Sequence, residues 1–188
     1  MLRGLAVQSG GSLSWDMKST IPRIREGLKR LQPIIRDAKA DDAGELDTKK
    51  VVAFCLLEIF GHYRNPGDAS RHVDSAAFMD LSIDTLILPF LLETRAIGLN
   101  LNDEHLNKAL NHTHKKSLDW AVLTNGQTWK VYKVIFSKPI EQVLIAEIDL
   151  LAINPETVEE PKWLFMLCRE FWQKPSEVEI ISDDTVPF

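Results

Sequence analysis

The 188-residue sequence predicts an α/β fold, a mixed β-sheet flanked by helices, and three observations carry that expectation. Apolar residues recur at spacings of three and four over the first sixty residues and again near the C-terminus, the period of a half-buried helix. Between those stretches the period shortens to two in runs rich in β-branched and aromatic residues, as strands require. Asn125-Gly126 then separates two such runs, a strong hairpin signal because a type I′ turn wants positive φ at both central positions. No internal repeat is present, which sets aside solenoid architectures.

At roughly 100–200 residues per domain, the length predicts one domain. It spans 18–175, with 1–17 as a mobile arm or leader, rich in Gly and Ser, and 176–188 as an acidic tail. A composition of 45% hydrophobic and 26% charged residues excludes long disorder, collagen and coiled coil, and is enough to bury a core without disulfides or a structural metal. The longest apolar run, 86–92, contains Pro89 and falls far short of the ~20 residues of a membrane helix, so no membrane partner is expected. The first thirty residues lack a basic segment followed by an apolar one. Cys55 and Cys168 read as reduced thiols, and the expected location is cytoplasmic.

The elements follow in order. Ile21, Ile24, Leu28, Leu31, Ile35 and Ala38 define a first helix, with Pro22 suited to its first turn and Pro33 expected to kink or split it. After a polar connection over 39–46, Asp47 is placed to cap a second helix carrying Val51, Val52, Cys55, Leu56, Ile59 and Phe60 inward, with Gly61 ending it. Residues 62–74 read as a loop turning at Asn65-Pro66-Gly67-Asp68. Runs 76–83 and 86–95, joined through Asp84-Thr85, read as a hairpin with one buried face. Asn102 caps a third helix with Leu106, Ala109, Leu110 and Thr113 inward. Strands 119–124 and 127–136 flank Asn125-Gly126, 143–148 is a further strand, and 161–173 is a C-terminal helix.

Net charge is −5, which argues against a simple basic nucleic-acid binder. The distribution is uneven. Residues 18–36 carry six basic side chains and one acidic, and 95–138 carry seven and three, while 37–94 and 139–188 each hold eleven acids. Two basic segments in an acidic chain can form one face for a polyanion, or remain ordinary solvated helix faces.

No phosphate-cradling glycine loop, zinc-type Cys/His spacing or nucleophile elbow is present. His105, His112 and His114 lie on a polar helix end without a thiol or a partnering acid, which reads as solvated rather than metal-binding. The sharper constellation is acidic. Asp80 lies on the first strand of the expected hairpin and Glu93 near the end of the second, and strands ~4.8 Å apart let two carboxylates share a divalent ion. Alternation puts Glu93 and Arg95 on the same face. Carboxylates that hold Mg²⁺ beside a cation that steadies charge on phosphate are the parts of metal-assisted phosphodiester hydrolysis. Glu58, on the second helix, reads as a surface salt bridge. Trp120, Trp129 and Tyr132 either stack bases or fill the sheet core.

Four segments carry a resemblance: 78–83 around Asp80, Leu91-Leu92-Glu93-Thr94-Arg95-Ala96-Ile97-Gly98 running on to Asp103, Trp120-Ala121-Val122-Leu123-Thr124-Asn125-Gly126, and Trp129-Lys130-Val131-Tyr132. Over about 25–170 the chain resembles the bacterial family related to the N-terminal nuclease domain of type I restriction enzyme R subunits, within the PD-(D/E)XK superfamily. The resemblance implies a restriction-endonuclease-like α/β core, Mg²⁺ (with Mn²⁺ as substitute) and DNA cleavage. Asp80 and Glu93 would be metal ligands, joined by Glu58 if it acts as a helix glutamate does in some nucleases of that fold, with Arg95 or Lys108 as the catalytic cation. The pattern departs from the family at Arg95, where members usually carry lysine, at Arg71, where they often carry an acid, and at Lys108 and His112, where they have glutamine and tyrosine. Arginine keeps the charge but differs in shape and does not lose its proton.

Lys108 shares a helical stripe with His105 and His112 and offers a lysine relocated over the Asp80/Glu93 site, or a solvent-facing side chain. Two readings follow: a metal-dependent DNA endonuclease of restriction or defence type, or a catalytically inactive nuclease-fold module that binds DNA or protein. A lone nuclease domain facing two strands suggests a homodimer. A lesser reading is a dimeric structural protein whose interface is the terminal helix, with Trp163, Phe165, Phe171 and Trp172.

Overall fold

The computed structural model describes residues 14–62, 88–102, 104–107, 110, 119–135, 140–158 and 162–172. Helix α1 is Ser14–Ala40 and α2 is Glu45–Phe54, whose end widens into a π-helical segment, Cys55–Ile59. Strand β1 is Leu91–Thr94; a helical turn at 104–107 precedes β2, Trp120–Thr124. Strands β3, Thr128–Ile135, and β4, Glu141–Asp149, complete the described sheet. A 3-10 turn at Pro155–Thr157 and two helical turns, Lys162–Phe165 and Arg169–Trp172, follow. No helix among the described residues is long and apolar enough to cross a membrane.

The sheet order is β1-β2-β3-β4, with β1 parallel to β2 and the other two pairs antiparallel. The expected class, a mixed sheet flanked by helices, is the class observed. A parallel pair needs a crossover rather than a tight turn, and the turn at 104–107 lies in that connection. Asn102 caps it as expected, its Oδ1 accepting from the His105 N–H at 3.3 Å.

Period-2 alternation gives the sheet two apolar faces. On one, Val122, Trp129, Val131, Ala146 and Ile148 belong to a single core with Ile24, Leu28, Leu31 and Ile35 of α1 and Val51 to Phe54 of α2. On the other, Ala121, Leu123, Tyr132 and Val134 pack with Leu106 and Leu110. Buried Gln32 ties α1 to the chain leaving β4, its amide donating to the Leu150 and Ile153 carbonyls at 2.7 Å each.

Several local expectations are corrected. Helix α1 is not split at Pro33, and Pro22 lies well inside it. Both prolines are exposed, so the missing N–H and the crowded ring face water while the opposite stripe holds the helix. The second helix starts at Glu45 after Gly44, and Asp47 instead pairs with Lys50 at 2.8 Å in the first turn. Gly61 does end it, with φ +72°; the His62 N–H closes on the Leu56 carbonyl at 2.9 Å.

Of the described part of the run 86–95, residues 88–95, Leu91–Thr94 is strand, and its described neighbour is β2. The run 76–83, with Asp80, lies outside the described residues. At the Asn125-Gly126 hairpin only Gly126 takes positive φ, +83°. The last pair is Thr124 with Trp129 and the Asn125 N–H donates to the Thr128 carbonyl at 3.2 Å, so the turn is wider than type I′.

The C-terminal helix is interrupted at 166–168. There i→i+3 bonds tighten the chain, and the Arg169 N–H turns to the Phe60 carbonyl at 2.9 Å. Trp163, Phe171 and Trp172, with buried Phe165, pack on the chain's own core.

Candidate active site at the end of strand β1

Four short links fix the backbone where β1 ends. The Arg95 N–H donates to the Thr124 carbonyl at 2.9 Å, which extends the parallel ladder one residue beyond the strand. Next, the Ile97 N–H donates to Thr48 Oγ1 at 3.0 Å, so the N-terminal part of α2 grips the turn that follows. The side chain of Asn125 does most of the remaining work. Its Nδ2 donates to the Ile97 and Leu99 carbonyls at 3.3 and 2.9 Å, and its Oδ1 accepts from the Gln127 and Thr128 N–H groups at 3.2 and 2.8 Å. Gly98 meets Asp42 so closely that a Cβ would collide with its carboxylate. The Ala-Ile-Gly and Thr-Asn-Gly segments are therefore two halves of one scaffold.

On that scaffold stand Glu93 and Arg95. They share a face, as alternation requires, and Arg95 Nη2 lies 2.6 Å from Glu93 Oε1. Arg95 Nη1 also faces Glu45 Oε2, at 3.7 Å, from the first residue of α2. Glu45 has a second, closer partner one turn along its own helix, Lys49 at 2.9 Å. That hydrogen bond, with the charges of Lys49 and Arg95, holds the Glu45 carboxyl below its ordinary pKa against the opposing effect of burial. Glu93 and Arg95 are each about a quarter exposed, at 26% and 22% of their side chains, so both remain reachable from solvent. The Nε of Arg95 is buried without a hydrogen-bond partner among the described residues.

Along the same face, Glu93 sits in register with Leu123, Leu123 with Lys130, and Lys130 with Glu147. Lys130 Nζ is 3.6 Å from Glu147 and donates to the Leu101 carbonyl at 3.3 Å. The reading from sequence passed over both Glu45 and Lys130. Alternation in Trp129-Lys130-Val131-Tyr132 sets Lys130 on the face opposite Trp129, and the strand pairing brings that face to Glu93. Glu45 carries no such signal, because nothing local says that the start of α2 meets the end of β1.

Asp80, Lys108, Arg71 and His112 lie outside the described residues, so of the four candidate site residues the structure brings together Glu93 and Arg95. Glu58 is a salt-bridge residue: its Oε2 is 2.8 Å from Arg30 Nη2, close in charge but not aligned as a hydrogen bond. Trp129 and Tyr132 belong to the core, at 0% and 2% exposure, and Trp120 lies half-buried beneath Lys133 Nζ at 5.0 Å from its ring. Among the described residues no three His, Cys, Asp or Glu side chains converge as a metal cluster.

Several basic side chains already have partners among the described residues, while Lys108, Lys115, Lys116 and Lys138 of the second basic segment lie outside them. Arg23 pairs with Glu170, Arg30 with Glu58 and Lys29 with Glu26 and Glu156. Arg25 is spent on the Val158 carbonyl, Lys39 on Gln127 and Lys133 on Asp119.

A comparison of the chain with protein-family models, with curated proteins and with solved structures finds no match.

Proposed function

We propose that the chain is a metal-dependent DNA nuclease domain whose reaction centre is the Glu93/Arg95 end of β1. One observation carries the reading: a carboxylate and a guanidinium stand side by side, partly open to solvent, where two parallel strands end. Ligand sites of α/β sheets favour the carboxyl ends of such strands. The donor chemistry fits Mg²⁺, which prefers hard carboxylate oxygens. Glu93 has lone pairs left after Arg95 takes its share. Glu93 would hold the ion, with Asp80 as the second carboxylate; the ion, when bound, supplies an activated water and neutralises charge.

Arg95 stays protonated near neutral pH and so does not serve as the base. Its part is to donate N–H bonds to a non-bridging phosphate oxygen, where negative charge grows as water adds to phosphorus and the ester bond breaks. Lys108 would be an additional cation at the same phosphate.

A second reading, a nuclease-like DNA-binding module without catalysis, draws on the same residues. Arg95 pairs with Glu93 and Lys49 with Glu45, so two cations already stand against the two carboxylates and the site in this state has little net demand for a further cation. Calorimetric titration with Mn²⁺ separates the two readings. Binding by the wild type that disappears in Asp80→Asn with Glu93→Gln, together with nicking of duplex DNA in Mg²⁺, supports the nuclease. Absence of Mn²⁺ binding by the folded wild type overturns it in favour of the binding module.

A further inference from the structure

We propose that Glu45 occupies the phosphate position of Arg95 and must be displaced before the site takes its substrate, which makes the start of α2 a built-in competitor for DNA. The proposal rests on the reading of Arg95 as the phosphate-facing cation. Three features of the geometry lead to it. Arg95 divides its fork unequally: Nη2 is held by Glu93 at 2.6 Å, whereas Nη1 faces Glu45 at 3.7 Å. The looser arm is the one with something to gain. Glu45 is also the more exposed carboxylate, at 45% of its side chain against 26% for Glu93, so it can move into water without disturbing the sheet.

Most important, Glu45 has somewhere to go. Lys49, four residues on along α2, holds it at 2.9 Å, closer than Arg95 does. Release of Nη1 therefore leaves no carboxylate stranded and frees one arm of the fork to donate a charge-assisted N–H bond to a phosphate oxygen. Glu93 has no such alternative among the described residues and stays with Nη2. The result is an anion position that is filled by the chain itself at rest and opened by exchange of one anion for another.

The test is fluorescence anisotropy with a short labelled DNA duplex in metal-free buffer, using full-length protein. The variants are Glu45→Gln, Arg95→Gln, the double variant and Asp47→Asn. An exposed ion pair of this kind is worth up to about 1 kcal/mol, so Glu45→Gln is expected to bind about two- to fivefold tighter than wild type. The gain is expected to vanish in the Arg95→Gln background, and Asp47→Asn, the same charge change two residues away and paired to Lys50, is expected to gain less. Arg95→Lys provides a second readout: it keeps the charge but cannot span two carboxylates, so Glu45→Gln should add little to it.

Equal tightening by Glu45→Gln with and without Arg95 would mean that only general charge is at work, and would overturn the proposal. Weaker binding by Arg95→Gln with no gain from Glu45→Gln would overturn the competitor role while leaving Arg95 at the phosphate. No loss on Arg95→Gln would overturn the underlying reading itself.

Discussion

Asn125 shows how much of the scaffold beneath Glu93 and Arg95 depends on one side chain. It is 7% exposed and uses its amide in four directions, binding two carbonyls of the 97–99 turn and two N–H groups of the β2–β3 turn. Each of those backbone groups would otherwise be left short of a partner, at roughly 1–3 kcal/mol apiece where burial is complete. Asn125→Ala is therefore expected to cost on the order of 3 kcal/mol in urea denaturation. Asn125→Asp should be no better, since it keeps the two acceptor bonds but sets a carboxylate against two carbonyl oxygens. A cost below about 1 kcal/mol for both would show that water replaces the amide.

His62 acts at the same scale through its proton. Its Nε2–H donates to the Leu167 carbonyl at 2.7 Å, and burial, opposed by that bond, pushes the imidazole down to about 4. The unfolded chain takes up the proton near 6.5. Between those values the unfolded state binds more protons, so stability is level above about pH 6.5 and falls as pH drops through the window. The expected loss from pH 7 to pH 5 is about 2 kcal/mol, read as a drop in the urea midpoint. His62→Gln should flatten that part of the profile; an unchanged slope would assign it to other groups.

At the scale of elements, α1 packs backbone-close on the π-helical segment at Gly27. Any Cβ on Gly27 would sit 2.9 Å from both the Glu58 carbonyl oxygen and Ile59 Cγ1. Backbone cannot yield there as a side-chain tip would. Gly27→Ala is expected to destabilise by about 1–3 kcal/mol despite the better helix propensity of alanine, seen as a lower Tm. Gly44, with nothing within 4 Å of its Cβ position, gives the contrasting case in which no clash follows.

What the sequence made legible, and what it did not, divides along the same line between local and distant causes. The inward stripe of α1, the Asn102 cap, the end of α2 at Gly61 and the shared face of Glu93 and Arg95 are set by residues within a few positions of one another, and they stand as read. Continuity of α1 through Pro33 depends on which side of the helix meets water. The single positive φ at Gly126 depends on Asn125 being engaged with Ile97 and Leu99, about 26 to 28 residues away. The interruption at 166–168 follows from Arg169 turning to Phe60. Glu45 reaches Arg95 because two elements meet in space, which no periodicity reports.

At the scale of the whole molecule, the proposed nuclease reading requires a chain with net charge −5 to meet a polyanion. Free cations on a surface would do so by releasing ions condensed on the DNA, one for each phosphate neutralised. Here several of the described lysines and arginines already have carboxylate partners, among them Lys29 with Glu156, Lys49 with Glu45 and Lys130 with Glu147. A lysine that leaves a carboxylate for a phosphate frees one DNA counterion, but the carboxylate left behind attracts a cation in its place. Net ion release is therefore small, even where several basic side chains touch the backbone. The logarithm of DNA affinity is expected to fall with the logarithm of salt at a shallow slope, about −2 to −3, against about −0.9 for every phosphate contact made by a free cation. Arg95→Gln should lower affinity while changing that slope by less than about one unit, because the arginine it removes was paired before binding. A slope of about −6 or steeper would show that unpaired cations dominate the contact, and would move the DNA-binding surface away from the Glu93/Arg95 end of β1.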